Sequence, residues 1–118
     1  MRDLIVKKFE NPDKIISFDN GKFEIVHMGL MTIGKATYKP GWKWSEDANL
    51  LGGTKFCEVE HLGVVMSGSA TVAFKGEKVS ILKPGDVFYV SSKPHDSWVI
   101  GKKPYVSIHF LGAEKYIQ

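Results

Sequence analysis

The sequence predicts an all-β fold, an antiparallel sandwich or barrel in one domain, and three observations predict it. Short runs rich in Val, Ile, Phe, Tyr and Thr recur at a spacing of about 8–12 residues, each closed by a turn signal. Twelve glycines and five prolines (Pro12, Pro40, Pro84, Pro94 and Pro104) supply the punctuation. No stretch carries apolar residues at helical spacing over a useful length, and only Asn11–Ile16 has room for a short helical turn.

The elements follow in order. Asn20-Gly21 is the strongest hairpin signal, because a type I′ turn needs positive φ at both central residues. It separates strands expected at Lys14–Phe18 and Phe23–Met28. A third run, Leu30–Tyr38, ends at Pro40-Gly41. Glu58–Met66 alternates only loosely, as a strand buried on both faces does. Ser67-Gly68 turns into Ala70–Phe74, and Lys75-Gly76-Glu77 into Lys78–Leu82. Pro84-Gly85-Asp86 precedes Val87–Val90, a loop precedes Ser97–Ile100, and Pro104 introduces Tyr105–Leu111.

The bulk composition narrows the function. A chain of 118 residues is one domain by length, here 1–118, and is long enough to bury a core without disulfides. Within it, 1–38 are N-terminal strands and hairpin, 39–111 the barrel proper, and 112–118 a tail. The 16 basic and 13 acidic residues are dispersed, so no charge run suggests nucleic acid or a membrane surface. The single cysteine, Cys57, forbids an internal disulfide. The first residues lack an apolar leader, and no stretch nears the ~18 apolar residues of a membrane span. A cytoplasmic protein is expected.

Two segments carry a family resemblance. Gly63-Val64-Val65-Met66-Ser67-Gly68, followed by Lys83-Pro84-Gly85-Asp86-Val87-Phe88-Tyr89-Val90, resembles the two motifs of the cupin superfamily. The resemblance implies a single-domain jelly-roll, or double-stranded β-helix, barrel with a site inside. Pro40-Gly41-Trp42-Lys43-Trp44-Ser45-Glu46 is similar to a block found in a group of small bacterial and archaeal cupins. That group also shares a Cys-x3-His in the first motif, here Cys57 and His61, and a His-Asp-x-Trp-like end to the second, here His95-Asp96-Ser97-Trp98. The usual metal pattern is altered, however. Counted back from Gly68, the Glu position holds His61, the second His position Cys57 and the first Lys55. The His of the second motif falls on His95, one residue early, with Asp96 in strict register.

The candidate site is therefore Cys57, His61 and His95 as metal ligands. Residues four apart on a strand share a face, so Cys57 and His61 can both look inward. Thiolate and imidazole suit zinc and tolerate iron or copper. The resemblance widens the set to one divalent metal (zinc, iron, nickel or manganese) or none, since a buried Cys often only packs. Trp44, Lys55, Asp96, Trp98 and His109 are candidate ligand-binding residues. His109 alternates with Ile108 and Phe110 on the last strand and would point inward. Trp42 shares a face with Trp44 by spacing, as pocket wall, core or dimer contact. His95 and Asp96, being adjacent, point opposite ways.

Function stays at three readings: a small-molecule-binding cupin with a metal in the barrel, a metal-free sensor or accessory protein similar to the ethanolamine-utilisation cupins, and a metal-dependent oxygenase, isomerase or lyase on a small polar substrate. A small-molecule ligand and a homodimer are the expected partners, since cupins align N-terminal strands and sheet edges otherwise stay exposed.

Overall fold

A computed structural model describes residues 3–48 and 55–113. Among them are ten strands and one turn of π-helix. The strands are β1 (Lys14–Phe18), β2 (Gly21–Met28), β3 (Met31–Tyr38), β4 (His61–Ser67), β5 (Ser69–Phe74), β6 (Ser80–Leu82), β7 (Val87–Val90), β8 (His95–Asp96), β9 (Val99–Ile100) and β10 (Tyr105–Leu111). The π-helical turn is Trp44–Ala48. One sheet has six strands in the order β1-β2-β3-β10-β4-β7. The other runs β6-β5-β8, with β9 also pairing β5, and every pairing is antiparallel. The all-β jelly-roll expectation holds. No helix among the described residues is long and apolar enough to cross a membrane.

The core lies between the two sheets and follows from the two-residue strand period. On β2 and β3, Phe23, Ile25, Ala36 and Tyr38 point inward and are buried; on β10 the inward set is Tyr105, Ser107 and His109. On β4 the inward positions are His61, Gly63 and Val65. Gly63 has no room for a side chain, because a Cβ there would run into the Phe88 ring and the Ile108 carbonyl. That close approach lets β4 sit against β10 at the centre of the large sheet.

Four local expectations change. The first hairpin registers Phe18 opposite Gly21, so its loop is Asp19-Asn20, one residue earlier than expected, and only Asn20 has positive φ (63°). Gly21 is required for contact instead, since a Cβ would meet the Phe18 and Tyr38 rings. Asn11–Ile16 forms no helical turn; the Asp13 carboxylate accepts from the His27 N–H at 2.7 Å and from Lys7, which ties the segment to β2. Of the expected Ser97–Ile100 strand only Val99–Ile100 forms, as β9, and the loop expected before it holds the two-residue β8 at His95–Asp96. Finally, Glu58–Glu60 precede β4 as irregular backbone rather than opening it.

Candidate metal centre

Cys57 and His95 are set side by side by the backbone. The Cys57 N–H donates to the His95 carbonyl at 2.9 Å and the His95 N–H returns to the Cys57 carbonyl at 3.0 Å. Residues exchanging both bonds lie directly opposite each other with side chains on one face. His61, first residue of β4, enters from the facing sheet and brings Nε2 to 3.4 Å from Cys57 Sγ. One ligand atom from each of the three lies within 4.8 Å of the others. Around zinc, tetrahedral ligands at about 2.0–2.3 Å stand roughly 3.3–3.8 Å apart. The Cys57–His61 pair already fits that span, and His95 closes it by about an ångström.

The donor chemistry fits a cation as well. His95 Nδ1 lies 2.7 Å from the Lys93 carbonyl, so it carries the proton and leaves Nε2 as the lone-pair nitrogen. A backbone acceptor on the far nitrogen is the usual support of a metal-ligating histidine. Burial, with lesser repulsion from His109 and His95, drives the His61 pKa well below its ordinary value. Burial also lowers that of His95, partly offset by the Lys93 carbonyl and Asp96. Both imidazoles are thus neutral, the form that binds metal. Burial pushes the Cys57 thiol up to about 11.

These three residues line a cavity of about 50 Å³ within the barrel, together with Tyr38, Trp42, Trp44, Tyr105 and His109. His109 points inward as expected, packs against Phe23, Phe88 and His61, and shares a 2.8 Å hydrogen bond with Ser107 Oγ. Tyr38 stacks flat on Trp42, with centroids 3.9 Å apart. Trp42 and Trp44 are both buried in the core.

The remaining candidates lie elsewhere. Lys55, Asp96 and Trp98 line a second, larger groove of about 490 Å³ at the end of the β5–β8 pair, with Phe56, Phe74 and Lys75, and His95 borders both it and the inner cavity. Asp96 points away from His95, as adjacent residues must. Its carboxylate accepts from the Ser45 N–H at 3.1 Å, the Ser45 hydroxyl at 2.8 Å and the Ser97 N–H at 2.9 Å. It therefore clamps the π-helical turn that carries Trp44. Lys43 stands 5.5 Å over the Trp98 ring. Tyr105 and Ser107, which the sequence reading passed over, also belong to the cavity side of β10; the period-two register with His109 was the signal available for them.

No family model matches the chain, and no curated protein matches it. Solved structures do. A protein with a double-stranded beta-helix domain from Klebsiella pneumoniae is similar at 15% identity and TM-score 0.63, covering 96% of this chain and 90% of its own. A protein of unknown function from Acinetobacter sp. ADP1 is similar at 11% identity and TM-score 0.61, covering 84% and 90%. A putative ethanolamine utilization protein from Salmonella typhimurium is similar at 14% identity and TM-score 0.54, covering 79% and 70%. At such identities the likeness is one of fold: this is a cupin-like double-stranded β-helix.

Proposed function

We propose that the protein is a small-molecule-binding cupin that holds one divalent metal on Cys57, His61 and His95. The observation that carries the proposal is their convergence: one thiol and two imidazoles, all buried, from three separate segments. Buried polar groups of this kind are rarely brought together without a partner. One soft thiolate and two imidazoles favour zinc, with iron or nickel next and manganese last. When bound, such an ion acts as a Lewis acid on an oxygen-bearing ligand. Around it, Tyr38 and Trp42 form a rigid stacked wall, Trp44 another, and His109 with Ser107 a neutral polar one. The protein works as a homodimer in the cytoplasm.

Metal analysis of protein purified without a polyhistidine tag tests this reading. Near-stoichiometric zinc, iron or nickel, lost in both Cys57→Ala and His61→Ala, is the expected result. Protein that carries no metal and takes none up from solution would overturn it and favour a metal-free sensor or accessory role.

A further inference from the structure

The larger groove, about 490 Å³, has the size of a small-molecule site, roughly 300–1,000 Å³. Three aromatic side chains from three segments meet in it: Phe56 just before the Cys57 bridge, Phe74 at the end of β5 and Trp98 between β8 and β9. Backbone pairing holds each segment in place. The Cys57↔His95 bridge fixes the chain next to Phe56, and Phe74 pairs with His95 in the β5–β8 register. The Trp98 carbonyl accepts from the Thr71 N–H at 2.9 Å, and the Trp98 N–H donates to the Thr71 hydroxyl at 3.1 Å. Phe74 and Trp98 are half-buried and Phe56 is 36% exposed, so part of each ring is open to an occupant.

Charge then selects the occupant. A lysine ammonium stands over each ring: Lys55 at 5.5 Å from the Phe56 centroid, Lys93 at 5.4 Å from that of Phe74 and Lys43 at 5.5 Å from that of Trp98. Aromatic rings bare of cations suit a cationic ligand, but here such a ligand would meet three ammonium groups. Lys93 is paired with Glu77, and Lys43 with Asp96 at 3.9 Å. Asp96 is the one carboxylate among the lining residues, and it also accepts from Ser45 and Ser97, so its charge is engaged within the fold. Lys55 and Lys75 line the groove, are exposed and form no ion pair among the described residues. The groove is thus aromatic in its lining and carries two unpaired positive charges.

We propose that the groove binds a flat aromatic carboxylate of one or two rings, its ring system against Phe56, Phe74 and Trp98 and its carboxylate towards Lys55 and Lys75. His95 borders the groove on one side and the inner cavity on the other, and its ring meets that of Phe74 edge-on at 5.5 Å. The occupant therefore lies beside the metal centre and not within it. The inference rests on the small-molecule-binding part of the reading above and is independent of the metal.

The test uses full-length protein as purified, with ¹⁵N-labelled tryptophan and its zinc content measured in the same sample. Naphthalene-2-carboxylate is expected to shift the Trp98 indole N–H resonance, identified by its loss in Trp98→Phe, with a midpoint below about 1 mM. Naphthalene-2-carboxamide has the shape without the charge, and cyclohexanecarboxylate the charge without the flat ring; each should bind at least about tenfold more weakly. Lys55→Met combined with Lys75→Met should weaken the carboxylate about tenfold with circular dichroism unchanged. A Trp98 resonance that ignores the carboxylate up to about 10 mM, a carboxamide that binds equally well, or a double variant that binds normally would overturn the proposal. Metal-free protein that shows the expected shifts would leave this inference standing while overturning the metal, and zinc-bearing protein whose Trp98 ignores the carboxylate would do the reverse. Should the double variant misfold, the carboxamide comparison still decides.

Discussion

Cys57 holds its proton tightly because burial penalises the thiolate, and nearby Glu58 and Asp96 add repulsion; together they raise the thiol to about 11. His61 and His95 are shifted in the opposite sense by the same burial. At neutral pH Cys57 is therefore the one ligand of the three that must lose a proton to bind a metal. Metal binding must expel it, whereas neutral imidazoles release nothing. Calorimetry in buffers of different ionisation enthalpy should count about one proton released per zinc. Apparent affinity should rise about tenfold per pH unit from pH 7 to 9, because the thiol is still protonated throughout that range. A count near zero would mean that sulfur is not a ligand.

At the scale of the element, β10 supplies the acid-sensitive part of the core. His109 is fully enclosed between the Phe23, Phe88 and His61 rings, and burial lowers its pKa from 6.5 to about 4. Between those values the unfolded chain binds a proton that the folded chain refuses, so stability falls as pH drops from 6.5 towards 4. A shift of that size corresponds to about 3 kcal/mol, with the His61 and His95 shifts acting in the same direction. Urea midpoints of metal-free protein should be flat above pH 7 and decline below 6.5, and His109→Gln should reduce the decline. The inward parity of β10 was legible in the sequence, since His109 two residues from Ser107 needs only the strand period. The Cys57–His61 pairing was legible for the same reason, although irregular backbone at Glu58–Glu60 delivers it. What the period could not reveal was set by long-range pairing. The Cys57↔His95 bridge decides that His95 faces inward and Asp96 outward. Likewise the Lys43↔Trp98 bridge and the π-helical turn send Trp44 into the cavity while Trp98 lines the larger groove.

For the whole molecule, the loose alternation of the fourth strand has a consequence. Val65 faces the core, but Leu62, Val64 and Met66 on the opposite face are also apolar. The cross-strand registers extend this outward face. Ile108, Val64 and Val87 form one row, and Leu62 stands opposite Tyr89, with Phe110 and Val106 on the same side of β10. None of these side chains is charged, and Met66, Val87 and Tyr89 are 57%, 77% and 59% exposed. A sheet face open to water ordinarily alternates to polar residues; apolar residues on both faces mark a sheet covered on both. On the other half of the sheet the outward Glu24 and Val26 are buried, whereas among the described residues β10, β4 and β7 keep exposed apolar side chains on this face. A stable interface buries roughly 800 Å² per partner, and a face of three strands offers apolar contact of that kind. Lys35, opposite Ile108, and Glu60, bonded to Tyr89, put both signs of charge at the rim of this apolar face, a pattern compatible with two-fold self-association. We propose this sheet face as a homodimer contact, alongside the N-terminal strands expected from the sequence. Light scattering should give twice the 13.2 kDa chain mass. Val87→Lys with Met66→Lys should give monomers with unchanged circular dichroism, because both side chains point to solvent in the isolated chain. A wild-type monomer at about 100 μM, or a dimer that survives both lysines, would rule this face out.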